Sequence, residues 1–152
     1  MLDLTGPEPR WLSFADFGTA SRRLGNALRG LGVTFGDRVV IGLPQGPAAG
    51  TAHLGVYRIG AIAVPISIVH GSDAIAHRVS DSQARVGIVD ADLWARIADN
   101  PGIRKQCRWI IANSRDKVAD TLRFDDVLAA ASATLDPAPV VAETPAMIIY
   151  TS

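Results

Sequence analysis

The sequence has a single cysteine, Cys107. No disulfide can close within the chain, and a C-x-x-C metal or redox site is excluded. That leans towards a reducing compartment. No charge of either sign is in excess, because fifteen Lys and Arg stand against fifteen Asp and Glu. Without a basic surplus there is nothing to draw in nucleic acid and no polybasic patch for a membrane surface. Long apolar runs are missing too, and none reaches the roughly 18 residues that suggest a membrane span. Residues 1–10 carry Asp3 and Glu8 and no apolar stretch of the secretory kind. Together these absences predict a cytoplasmic protein. Metal chemistry is short of ligands: His53, His70 and His77 lie far apart, and there is no H-E-x-x-H. No G-x-S-x-G elbow occurs, and Cys107 stands at the entrance to an apolar strand, the place of a buried structural thiol rather than a nucleophile. No catalytic and no metal-binding residue is assigned.

What is present is ordinary for a folded domain: 48% hydrophobic and 20% charged residues in a chain of 152. A chain of that length buries roughly 70% of its unfolded surface. The first element is a helix that Ser13 can cap. Phe17, Ala20, Leu24, Ala27, Leu28 and Leu31 recur three or four apart along it, and Arg22, Arg23, Asn26 and Arg29 fall mostly outside that stripe. Gly30 and Gly32 end it. Arg38 to Leu43 is a β-branched run suited to a strand buried on both faces. After a loop at Pro44, Gly46 and Pro47, a helix runs from Ala48 to Ile59. Ala61 to Ile68 returns as a strand, bent or edged by Pro65.

The pattern then repeats. Ser72 caps a helix with Ile75 and Val79 inward, and Arg85 to Val89 is a strand. A helix opens at Asp92 and ends near Gly102, Arg108 to Ala112 is a strand, and Phe124, Val127, Leu128 and Ala131 mark a last helix. An Ala- and Pro-rich connection over 133–145 leads to a fifth strand, Ala146 to Tyr150. Strands alternating with helices of about ten residues predict one three-layer α/β subdomain over 1–152. Its sheet should be mainly parallel, with helices on both faces and right-handed crossovers.

Ligands of open parallel sheets sit beyond the carboxyl ends of strands. Three such ends are Leu43 to Gly46, Asp90 to Asp92, and Tyr150 to Ser152. The first has a strand-to-helix setting, but Pro44 and Pro47 remove N–H donors that a phosphate cradle uses. The carboxylate pairs Asp90/Asp92 and Asp125/Asp126 suit a turn and a helix N-terminus better than acid–base work. Gly30-x-Gly32-x-x-x-Gly36 follows a helix and precedes a strand, the reverse of a dinucleotide fingerprint. Tyr150-Thr151-Ser152 sets two hydroxyls at the end of an apolar strand, a common start for a phosphate-gripping loop.

The order of these segments matters more than any one of them. Leu12 to Phe17 is followed by Ser21 to Val33, Gly36 to Pro44, His53 to Ile66, Arg78 to Val86 and Glu143 to Ser152. In this order and at about this spacing, the chain resembles the N-terminal part of the AMP-forming acyl-CoA synthetases, in the adenylate-forming superfamily. The resemblance implies the fold of that N-terminal subdomain. For the full-length enzymes it implies a two-step reaction that uses ATP with Mg and coenzyme A. A carboxylate and ATP give an acyl-adenylate and pyrophosphate, and the thiol of coenzyme A then displaces AMP. It makes Thr151 and Ser152 the first hydroxyl residues of the ATP phosphate loop.

The family's adenine, ribose and catalytic-lysine motifs are not found in the sequence. The chain by itself is therefore expected to be inactive and to bind none of these ligands tightly. Pro65 to Arg85 looks most like the acetyl- and medium-chain fatty-acyl branches, which points to fatty acid metabolism. A subdomain cut from a larger enzyme should also expose apolar surface, through which it could form a homodimer. The alternative reading is a stand-alone binding or interaction module that reuses this half-fold.

Overall fold

The computed structural model describes residues 2–3, 9–114 and 116–151. Two short strands, β1 (Leu2–Asp3) and β2 (Arg10–Trp11), pair antiparallel with each other. The elements that follow are α1 (Phe14–Gly30), β3 (Arg38–Gly42), α2 (Pro47–Arg58), β4 (Ile62–Pro65), α3 (Ser72–Asp81) and β5 (Val86–Asp90). The chain continues through α4 (Ala91–Ile97), α5 (Pro101–Arg104), β6 (Arg108–Ala112), β7 (Leu122–Arg123) and α6 (Phe124–Ala130).

The main sheet has five strands in the order β4-β3-β5-β6-β7. Each adjacent pair is parallel. From β3 the chain steps outward to β4, then crosses back over β3 to β5. The direction of travel reverses there, and right-handed crossovers put the connecting helices of the two steps on opposite faces. The packing shows this division. Val39 and Ile41 of β3 join Leu24 and Leu28 of α1 and Ala52 and Val56 of α2 in one core. Val40, between them in sequence, joins Ile75 and Val79 of α3, Leu93 and Ile97 of α4 and Ile103 of α5 in the other. Alternation along a strand thus feeds two cores, which gives the expected three layers with helices on both faces.

The helix ends follow local chemistry. Ser13 caps α1 in a reciprocal box: its Oγ accepts from the Asp16 N–H at 3.1 Å, and the Asp16 carboxylate accepts from the Ser13 N–H at 2.8 Å. Asp90 caps α4 by accepting from the Leu93 N–H at 2.8 Å. That is the helix-start role its position suggested. Ser72 is the first residue of α3 rather than its cap; Gly71 holds the cap position and makes no side-chain bond.

Other features differ from the expectation. β7 was not foreseen, because its two residues carry too little periodicity to register. The run read as a fifth strand, Ala146 to Tyr150, meets the sheet through one parallel bridge, Ala63 with Met147, and forms no ladder. The polar side of α1 is not simply solvated. Arg22 Nε donates to the Ala133 carbonyl at 2.7 Å, and Asn26 Nδ2 donates to the carbonyls of Ser132 and Thr134 at 2.8 and 2.7 Å. These bonds tie the Ala/Pro-rich connection to the helix, and Leu135 enters the first core behind them.

Candidate functional site

A cleft of about 470 Å³ opens over the carboxyl ends of β3 and β6, on the α1 side of the sheet. Pro44, Gln45 and Gly46 from the turn after β3 line it, with Asn113 from the end of β6 and Phe17 and Arg23 from α1. It lies beside the strand at which the chain reverses, where open α/β sheets take ligands. Several of its charged groups already have partners. Arg23 Nη1 donates to the carbonyls of Leu128, Ala129 and Ala131, closing the end of α6. Hydrogen bonds from Ser13 hold the Asp16 carboxyl below its usual 3.8, because they favour the charged form. Arg10 sits 3.9 Å from Asp3. The cleft offers shape and amide groups, and among the described residues its lining holds no nucleophile next to a base.

Among the described residues of the three strand ends singled out from the sequence, only Pro44, Gln45 and Gly46 of the first contribute to this cleft. Asp90 is spent on its helix cap. Thr151 is exposed and does not line the cleft. Ser152 lies outside the described residues.

The stretch that leads to Thr151 has a definite anchorage. The Ala63 N–H donates to the Ala146 carbonyl at 2.9 Å, and the Ile148 N–H donates to the Ala63 carbonyl at 2.9 Å. Ile148 and Tyr150 turn inward onto the second core, while Met147 and Ile149 face out. The Tyr150 hydroxyl donates to the Asp81 carboxylate at 2.6 Å, and the Arg78 guanidinium carbon lies 5.5 Å from the centre of the same ring. Burial, then the contact with Asp81, pushes the Tyr150 phenol up to about 12. Sequence reasoning missed this cluster. One signal was available: Asp81 is the last residue of α3, where a carboxylate opposes the helix dipole and gains from an outside partner.

Other candidates resolve simply. Burial pushes the Cys107 thiol up to about 12, so it remains protonated at neutral pH and a poor nucleophile. Among the described residues, no three of His, Cys, Asp and Glu gather as metal ligands would. No helix among them is long and apolar enough to cross a membrane.

Comparison with known proteins yields consistent relatives. The sequence model of one family, described as AMP-binding enzyme, matches residues 3–152. The 3-hydroxybenzoate--CoA/4-hydroxybenzoate--CoA ligase of Thauera aromatica is 28% identical over 144 residues, covering 94% of this chain and 28% of that protein. The acetyl-coenzyme A synthetase of Magnetococcus marinus is 32% identical over a 162-residue alignment, covering 94% of this chain and 24% of that protein. The crystal structure of the anthranilate CoA ligase AuaEII, in complex with anthranoyl-AMP, matches with a TM-score of 0.88 at 26% identity. It covers 94% of this chain and 28% of that one. The chain therefore spans about a quarter of the length of the curated relatives it matches.

Proposed function

The chain belongs to the AMP-binding enzyme family, and from that premise we propose that it is the N-terminal α/β portion of an AMP-forming acyl-CoA synthetase. The observation that carries the reading is the extent of the match. It runs over residues 3–152, while the CoA ligases and synthetases it resembles are about four times longer. In this reading the whole enzyme joins a carboxylic acid to ATP, releases pyrophosphate, and passes the acyl group from the adenylate to coenzyme A. Thr151 and Ser152 open the loop that grips the ATP phosphates, and their residue types bring hydroxyl and backbone donors suited to phosphate oxygens. Mg would arrive with the ATP phosphates, which together with water supply most of its ligands in sites of this kind. The acyl group handled falls in the acetyl- to medium-chain range, on the strength of Pro65 to Arg85.

Catalysis of this kind rests on neutralising phosphate charge and aligning the carboxylate. In the cleft described above Arg23 already holds structural carbonyls, which supports an inactive chain when it stands alone. Carboxylate-dependent exchange of pyrophosphate into ATP tests both halves. The full-length enzyme that carries this segment should exchange, and the 152-residue chain should not. Exchange by the chain alone overturns the inactivity, and no exchange by the full-length enzyme overturns the assignment.

The exposed Phe14, Trp11 and Ile149, at 97%, 77% and 67% of their surface, support contact with a further part of the enzyme. In the isolated chain they support a homodimer. A strictly monomeric species by light scattering at high concentration overturns the homodimer.

A further inference from the structure

We propose that Tyr150, Asp81 and Arg78 form a clasp that fixes where the chain leaves the sheet edge, and so positions Thr151 and the loop it opens. The inference rests on the reading of Thr151 and Ser152 as the start of a phosphate loop.

The stretch Ala146 to Tyr150 has little else to hold it. It makes one bridge to β4. Its outward side chains, Met147 and Ile149, are 41% and 67% exposed. A lone parallel bridge beside a sheet edge does not define the direction in which a chain departs. The clasp adds that definition at the residue immediately before Thr151. It holds the Tyr150 side chain through three contacts. The side chain packs against the second core. The hydroxyl is held by Asp81 at 2.6 Å, a length typical of a charge-assisted O–H···O⁻ bond. The ring lies within reach of the Arg78 guanidinium, at 5.5 Å.

Arg78 and Asp81 stand three residues apart on α3, which places them on one face of the helix. Arg78 Nη1 also donates back to the Ala74 carbonyl at 2.9 Å, so the guanidinium is held from its own helix. Asp81 ends α3, where the helix dipole disfavours a carboxylate. A residue that breaks a local rule in this way calls for a compensating partner, and Tyr150 supplies it. The last turn of α3 and the phosphate-loop entry are thereby coupled across 69 residues of sequence. Tyr150, Asp81 and Arg78 are positioning residues, since none of them needs to touch ATP.

Pyrophosphate exchange by the full-length enzyme is the first measurement. Tyr150→Phe and Asp81→Ala should each raise KM for ATP about tenfold, the size expected for one hydrogen bond to a charged group. KM for the carboxylate should stay within roughly twofold. The double variant should be no worse than the worse single variant, because each removes the same bond. A purely structural role would lower the active fraction and leave KM for ATP alone. A KM for ATP within roughly twofold of wild type in both variants overturns the clasp, as does full additivity.

A wild-type enzyme without exchange removes the functional reading instead. The clasp is then judged on the 152-residue chain, by deuterium exchange at the Ile148 amide, which bonds to Ala63. Tyr150→Phe should speed that exchange about fivefold, and an unchanged rate overturns the clasp.

Discussion

The centre of the sheet and its β4 edge are built from similar sequence and reach different structures. Val86-Gly-Ile-Val-Asp forms β5, with β3 on one side and β6 on the other. Its side chains feed both cores. Ala146-Met-Ile-Ile-Tyr beyond β4 is just as apolar and makes one bridge. It alternates like a strand, with Ile148 and Tyr150 inward and Met147 and Ile149 outward. The local preference for extended backbone is therefore met in both places. What separates them is neighbours. A buried parallel strand needs a partner on each flank and a layer on each face, and among the described residues the edge stretch has one flank and one face covered.

The contrast can be broken by one series of urea unfolding measurements on the chain. Trp109 is paired in register with Gly87, and its indole lies across the bare glycine backbone. Its Nε1 donates to the Ile103 carbonyl at 3.1 Å, and its ring meets Trp94 at a centroid distance of 5.2 Å. Trp109→Ala should cost about 3–5 kcal/mol. Gly87→Ala should cost about 1–3 kcal/mol, because the added methyl runs into the Trp109 ring and the sheet cannot part there. Ile148→Ala, at the half-covered edge, should cost about 1 kcal/mol. A loss at Ile148 equal to that at Trp109 would show that the edge is as firmly built as the centre.

How much of this was legible follows from range. The strands β3, β5 and β6 announce themselves through short apolar runs rich in β-branched residues, and α1 through its stripe and its Ser13 cap, all within a few residues. The two faces followed from the strand–helix alternation. β7 was invisible because two residues carry no period. The single bridge at Met147 could not be read, because Ile148 and its neighbours look like any buried strand until one asks what lies beyond them. The partners of Arg22 and Asn26 are carbonyls more than a hundred residues away, so their positions read as an ordinary polar face. At the candidate site, the turn after β3 was named as one of three strand ends, and its prolines were read as counting against a phosphate cradle. The contact of Tyr150 with Asp81 is long-range and was not found, although a carboxylate at the end of α3 was the local irregularity that marked it.

The smallest effect concerns how the centre is pinned at its amino end. Asp37 precedes β3 and Arg85 precedes β5, and Arg85 Nε lies 2.8 Å from Asp37 Oδ2. Burial acts to raise the Asp37 carboxyl, but the Thr34 N–H and hydroxyl and the Arg85 guanidinium outweigh it, and the group lies below its usual 3.8. The unfolded chain therefore binds this proton more readily than the folded one. The stabilisation is fully present above pH 3.8 and is lost as pH falls through the lower folded value. Asp37→Asn should remove that slope and cost less than about 1 kcal/mol at neutral pH, since the Arg85 side chain is 59% exposed and its attraction is screened. Asp16 is shifted in the same direction, so the variant should flatten the acid limb without abolishing it. Unfolding midpoints measured from pH 6 down to about pH 3 in both chains read the difference. Parallel limbs would mean that β3 and β5 are held at that end by their backbone ladder alone, and that the centre owes its firmness to packing and none of it to this ion pair.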